Sequence, residues 1–365
     1  MQPELPTPDL AAPDLTAVDA AAQMQPIPQS PTPRLDAAGP GPESVRLALE
    51  PAAHLLGRHA ASPMEIPWLG WKAVLRRTLI EMLTDRVSLV AAGCAFYATL
   101  ALFPAMSMLI SIYGLLFDPV TVEPQLEVLR GLVPPTAYTL IAERVHTLVA
   151  RPPGSLGLSL LISTSVALWS SATGVKSIIT ALNLAYEEKE RRSFARFQVT
   201  AFTITLLGIV SAVIGLALLV GLPATLEALG FASHQKALIR LASFALLVMA
   251  VLTGLSLLYR YGPSRERPRW QWVTPGSLVA TVLWVAVSAL FSIYVGQFAS
   301  YDATYGPLGT VVGIMMWFFV TVYAVLLGAE LNAELELQTV VDSTDGPARP
   351  LGRRGAYVAD HVAED

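Results

Sequence analysis

The sequence predicts an all-α, polytopic membrane protein: six transmembrane helices with amphipathic interfacial and periplasmic helices between them. Three observations carry that expectation. Of the 365 residues, 53% are hydrophobic and only 14% charged, against about 25% charged in a soluble domain. The apolar residues fall in long runs free of charge, the pattern of membrane spans and not of a large soluble core. Basic residues gather beside alternate ends of those runs, as they do on the cytoplasmic side of a bilayer.

Residues 1–65 open the chain as a Pro/Ala-rich stretch, with prolines at Pro3, Pro6, Pro8, Pro13, Pro26, Pro28, Pro31, Pro33, Pro40 and Pro42. No sustained apolar period accompanies them, so too little surface can be buried to offset ordering, and a disordered cytoplasmic tail is expected. The first basic residue is Arg34, which does not suit a cleavable signal peptide. At 68–86, Trp68, Trp71, Val74, Leu75, Leu79 and Leu83 recur at helical spacing, with Lys72, Arg76, Arg77 and Arg86 beside them. A helix lying at headgroup level is expected there.

The six spans are bounded by the nearest charges and run over 87–117, 152–175, 197–226, 241–259, 272–298 and 307–329. A helix needs about 20 residues to cross the hydrocarbon core, so the long apolar region from Trp270 to Ala329 holds two of them. Together residues 66–337 form the membrane domain, and 338–365 are expected to be a second disordered cytoplasmic tail. Thirteen basic residues flank one side: Lys72, Arg76, Arg77, Arg86, Lys176, Lys189, Arg191, Arg192, Arg196, Arg260, Arg265, Arg267 and Arg269. Five flank the other: Arg130, Arg144, Arg151, Lys236 and Arg240. The asymmetry puts both termini in the cytoplasm.

The first span is unusual. Its 31 charge-free residues would extend about 46 Å, against a core of about 30 Å. Pro104 lies inside it, after Phe96, Tyr97 and Phe103, so a bent or broken helix is expected. An unwound segment at a substrate path and an ordinary packing kink both remain open. Between the first two spans, Leu126, Leu129 and Val133, then Ile141, Val145, Leu148 and Val149, predict two short periplasmic helices. Val175, Ile178, Ile179, Leu182 and Tyr186 align in a further stretch, 174–197, expected as a membrane-surface helix.

All 24 Lys and Arg lie outside the six expected spans, and no Asp, Glu or His falls near a span's middle. Buried ionisable groups mark proton relays, ion paths and voltage sensors, so a proton pump or charge-lined channel is disfavoured. A path for lipids or amphipathic molecules, lined by hydroxyl, aromatic and backbone groups, stays open. Thr173-Gly174-Val175-Lys176-Ser177 does not qualify as a phosphate loop, because Val175 separates glycine from lysine. Gly309 with Gly313, and Gly208, Ser211, Ala212 and Gly215, offer small-residue faces for close helix packing, within one chain or in a homo-oligomer. Tyr294, Tyr301 and Tyr305 suit an aromatic belt. For Glu330, at the edge of span six beside Asn332, a substrate or helix contact and a solvated terminal charge are both open. Cys94 lies in an apolar run and suits inert packing.

Several stretches together resemble the YihY/BrkB family of bacterial inner-membrane proteins. They are Ala91-Ala92-Gly93-Cys94-Ala95-Phe96-Tyr97 with Leu102-Phe103-Pro104; Trp169-Ser170-Ser171; and Ala181-Leu182-Asn183 with Tyr186. Tyr305-Gly306-Pro307-Leu308-Gly309, Trp317 and Leu327-Gly328-Ala329-Glu330-Leu331-Asn332-Ala333 follow in order, so the likeness covers roughly 70–337. Pro307 departs from the serine common there in the family. The resemblance implies six helices in the bacterial inner membrane. One member is associated with serum resistance and virulence, and relatives have been linked to transport of envelope lipid or lipopolysaccharide.

The residues carrying the resemblance supply the candidate substrate path: Phe96, Tyr97, Phe103, Pro104, Trp169, Asn183, Tyr186, Tyr305, Gly306, Trp317, Glu330 and Asn332. The old family label, ribonuclease BN, finds no support in the sequence. The histidines His54, His59, His146, His234 and His361 are scattered, and no H-x-H-x-D-H run exists. The expected function is a transporter, exporter or flippase of an amphipathic envelope molecule. A non-transporting scaffold for envelope integrity is the alternative, and a membrane ribonuclease the weaker one. No catalytic residue, metal or cofactor is expected, membrane lipids are the expected partners, and a net charge of −4 gives no general attraction to nucleic acid.

Overall fold

Charge-free runs of this length leave the backbone little choice but to satisfy its own hydrogen bonds, and helices dominate the fold. The computed structural model describes residues 54–116, 156–216, 233–297 and 307–363. A short helix, α1 (Trp68–Thr84), leads into α2 (Val87–Leu116). Then come α3 (Leu156–Ala185), α4 (Phe194–Leu216), α5 (Ser233–Tyr261), α6 (Trp270–Gln297), α7 (Pro307–Leu337) and the single turn α8 (Tyr357–Asp360). Among the described residues the strand content is one isolated bridge, Pro268 with Thr344. Each expected span overlaps one of the long helices α2 to α7. Among the described residues, four of these contain segments long and apolar enough to cross a membrane: Phe194–Gly215, Ala237–Tyr261, Trp270–Tyr294 and Val311–Leu337; Val87–Leu102 is a shorter apolar one.

Neighbouring pairs run α4–α3–α2–α7–α6–α5, with α5 also touching α4. Helix α7 is the hub, packing on α1, α2, α3, α6 and α8. The core lies around it, where Leu326, Ala329 and Ala333 meet Ala91, Leu182, Tyr259 and Ala280. Close backbone approach is greatest between α6 and α7. A Cβ on Gly276 would fall on the Gly328 carbonyl, and one on Gly328 would meet the Gly276 carbonyl and the Tyr259 hydroxyl. The small residues singled out from sequence do less: Gly208 and Gly313 have open space, and Gly215 meets only a Leu247 methyl. Spacing alone does not say which small residue faces a neighbour.

Several expectations need correcting. Helix α2 is not broken at Pro104 but continues to Leu116, in keeping with neighbouring groups accommodating a proline. The expected surface helix after Gly174 is the last third of α3. Its apolar face, Ile179, Leu182 and Tyr186, is buried in the core instead of lying on a bilayer surface. Pro307 is the first residue of α7, where its missing N–H costs nothing.

The expected C-terminal tail is folded through residue 363. Its carbonyls and carboxylates are gathered by one buried arginine, Arg354, which donates to Val340 O, Ala359 O and Arg349 O. At the other end, residues 54–65 of the expected N-terminal tail are also built in. Val340 N–H donates to Arg58 O, and Thr339 Oγ donates to Ala60 O at 2.7 Å. Polar composition concealed both, because their order comes from hydrogen bonds with distant parts of the chain. The expected periplasmic helices at 118–151 lie outside the described residues.

Helix α1 divides its apolar residues between two faces. Gly70, Val74, Thr78 and Met82 turn inward, while Trp68, Leu75, Leu79 and Leu83 are exposed. The chain leaves α1 through Arg86 at φ 51°, a left-handed conformation that costs an L-residue about 1–2 kcal/mol.

Candidate functional site

The sequence-selected residues separate into two groups. Asn183, Tyr186, Glu330 and Asn332 are buried at the end of the helices where α3, α5 and α7 finish and α4 and α6 begin, here called the polar end. Phe96, Tyr97 and Trp169 are 50%, 44% and 50% exposed on the outer face of α2 and α3. Pro104 and Trp317 are half-buried, the latter against Phe318. Tyr305, Gly306 and the side chain of Phe103 lie outside the described residues.

At the polar end the α3–α4 and α5–α6 connections are held by side chains. Asn183 accepts from Ser264 N–H at 2.7 Å and donates to Glu190 at 3.0 Å, tying the α3–α4 and α5–α6 connections together. Arg192 grips the Glu190 carboxylate with two nitrogens, each at 2.7 Å. Burial pushes Glu190 upward, but the hydrogen bonds from Arg192 and Asn183 outweigh it and hold the carboxyl at about 2.

Beside this lies a fully buried ion pair. Arg265 reaches both Glu336 oxygens at 2.8 and 2.7 Å, with both side chains completely enclosed. Ser343 donates to the same carboxylate at 2.6 Å, and the guanidinium stacks 4.7 Å over the Tyr186 ring. One guanidinium nitrogen meets both oxygens and a hydroxyl donor adds to them, which offsets part of the pair's desolvation, while Arg265 Nη1 has no hydrogen-bond partner among the described residues. Tyr186 is fully buried, and its ring serves as a stacking platform for the Arg265 guanidinium.

Asn332 has an equally definite task. Pro275 interrupts the hydrogen-bond ladder inside α6, and Asn332 reaches across from α7 to the next turn. It accepts from Gly276 N–H at 2.8 Å and donates to Val273 O at 3.0 Å. This explains the crowding at Gly276, where a Cβ would collide with both Gly328 and Asn332. Arg77, from α1, pairs with Glu334 and donates to Gln338.

Glu330 is not a solvated terminal charge. It is 3% exposed and its Oε1 has no hydrogen-bond partner among the described residues. Asp85, Glu334, Glu81 and Glu187 lie within electrostatic reach of it. The turn of helix that separates Glu330 from Glu334 decides which one meets Arg77. Among the described residues, no group of three or more His, Cys, Asp or Glu is placed to hold a metal ion.

The exposed face has a different chemistry. Phe96 and Tyr97 meet edge-on at 5.5 Å. Trp169 lies 5.8 Å from Phe202 of α4, and Lys176 stands 4.6 Å over the Trp169 ring. Sequence reasoning counted Lys176, Arg265 and Arg77 only as flanking charges and passed over Phe202 and Glu336. The spacing of Trp169 and Lys176, two helical turns, was the available signal for one of them.

A family model for Virulence factor BrkB matches residues 78–352, which takes in all the long helices and the polar end. The chain belongs to that family. It is 30% identical to the ribonuclease-like protein YfkH of Bacillus subtilis (strain 168), over 67% of this chain and 88% of YfkH. It is 25% identical to a UPF0761 membrane protein of Delftia acidovorans, over 74% of this chain and 63% of the relative. A UPF0761 membrane protein of Tolumonas auensis is 26% identical over 69% of this chain and 81% of its own length. No solved structure matches the chain. Membership makes this an integral membrane protein and accounts for its apolar helices. It also places the buried polar end inside the part of the chain that the family shares.

Proposed function

We propose that this protein is a transporter, exporter or flippase for an amphipathic or lipidic envelope molecule, crossing the bacterial inner membrane six times with both termini in the cytoplasm. The observation that carries the reading is the outward aromatic face of α2 and α3, where Phe96, Tyr97 and Trp169 stand half-exposed on long apolar helices. Aromatic side chains offer large apolar faces, and Tyr and Trp add a polar handle, a combination that suits an amphipathic cargo. The basic flanks support the orientation, since Lys189, Arg191, Arg192, Arg265, Arg267 and Arg269 lie on the connections of the polar end.

The test is leaflet exchange. Purified full-length protein in vesicles should accelerate exchange of a headgroup-labelled phospholipid between leaflets over protein-free vesicles. Exchange equal to protein-free vesicles, for phospholipids and for lipopolysaccharide precursors alike, rejects the reading.

The scaffold reading draws on the folded 338–363 segment, which presents a built surface at the polar end. Its sharpest test removes residues 1–53 only, since 54–65 pack into the fold. The printed name of YfkH suggests a ribonuclease; RNA cleavage by the purified protein with a divalent ion would favour that reading, and we expect none.

A further inference from the structure

Lys176 is unusual among the basic residues of this chain. It lies nine residues before the end of α3 at Ala185, about 14 Å inside the helix at 1.5 Å per residue. No carboxylate among the described residues pairs with it. Its ammonium is instead 4.6 Å from the Trp169 ring and 5.9 Å from the Phe202 ring of the neighbouring helix. The surroundings are apolar and outward-facing: Val166 and Leu184 on α3, Val199 and Leu206 on α4 are exposed. Thr173 and Thr180 complete the same strip of α3.

Aromatic faces fix the position of a cation without cancelling its charge. A carboxylate partner would have cancelled it, as it does for Arg265 and Arg77. The counter-charge then comes from outside the described residues, and Lys176 directly bounds the expected second span on its basic flank, at the level of the lipid headgroups. A lipid brings both an acidic headgroup and the acyl chains that cover the apolar surround. Exposed Lys189 and Arg196, on the adjoining connection and the first turn of α4, extend the positive potential toward the headgroup layer.

We propose that Lys176, clamped by Trp169 and Phe202, binds the acidic headgroup of an anionic phospholipid on the α3–α4 surface. This names the charge class of the cargo if the transport reading holds, and it rests on that reading only for that consequence.

The test uses the full chain in phosphatidylcholine vesicles containing either phosphatidylglycerol or phosphatidylcholine with brominated acyl chains. Bromine quenches nearby tryptophan, and subtracting a Trp169→Phe variant isolates the signal of Trp169. Wild-type quenching should favour phosphatidylglycerol. Lys176→Gln should lower that preference about fivefold, and Lys176→Arg should keep it. Equal quenching by the two lipids, or a preference unchanged in Lys176→Gln, overturns the site. Leaflet exchange in the same vesicles separates the two ideas. Preference without exchange keeps the site and rejects transport, while exchange without preference does the reverse.

Discussion

The polar end and the outer face of α2 to α4 each set a cation over an aromatic ring, Arg265 over Tyr186 and Lys176 over Trp169, and use it in opposite ways. At the polar end, Arg265, Arg192 and Arg77 each meet a carboxylate, and Asn183 and Asn332 spend both ends of their amides on neighbouring elements. On the outer face Lys176 meets aromatic rings and no carboxylate among the described residues, and Phe96, Tyr97 and Trp169 keep about half their surface open. Satisfied polar groups rigidify a structure; open aromatic and cationic groups are available to a ligand. The contrast assigns stability to one region and recognition to the other, and each can be perturbed separately.

The largest effect should come from Arg265→Ala. It strands Glu336 in a site with no solvent access, and loss of one partner of such a pair costs about 3–5 kcal/mol. Thermal unfolding in detergent should show it, and a shift no larger than that of a surface control would mean the pair is not enclosed. Gly328→Ala comes next, at about 1–3 kcal/mol for overpacking the α6–α7 crossing, whereas Gly313→Ala should stay within about 0.5 kcal/mol. The reverse order would show that α7 packs through the other small-residue pair.

Acid should loosen the polar end selectively. Glu190 is held at about 2 against an ordinary 4.5, so its contribution is complete above about 4.5 and disappears as pH falls toward 2. Because the carboxylate is still 30% exposed and screened by solvent, the effect is at most about 1 kcal/mol. The gap in unfolding midpoint between wild type and Glu190→Gln should therefore close over that window; a gap that widens on acidification contradicts the Arg192 contact. Smallest of all in stability, Trp169→Ala should move the midpoint by about 0.5 kcal/mol or less.

Much of the fold was legible because charge marks the ends of apolar runs: the boundaries at Arg86, Arg260 and Arg269 each lie close to a helix end or just outside one. Periodicity also found the apolar face of 175–186, yet it could not say whether that face met lipid or protein. The polar end was only half legible. Asn183, Tyr186, Glu330 and Asn332 were reached through family resemblance, but their partners Ser264, Arg265, Val273 and Gly276 are more than fifty positions away along the chain. The folded 338–363 segment was missed for the same reason. Its composition is that of a tail, and contacts with distant residues make it otherwise, among them Arg58 with Ala363, Arg260 with Asp345 and Tyr357 with Glu188.

One paired measurement bears most directly on the division between the two regions. A Phe96→Ala, Tyr97→Ala, Trp169→Ala variant is compared with wild type for leaflet exchange and for unfolding midpoint, in the same vesicles and at equal protein density. The account predicts lipid exchange reduced to the protein-free rate, with the midpoint within the range of surface substitutions. Exchange at the wild-type rate in that stable, folded variant would contradict it.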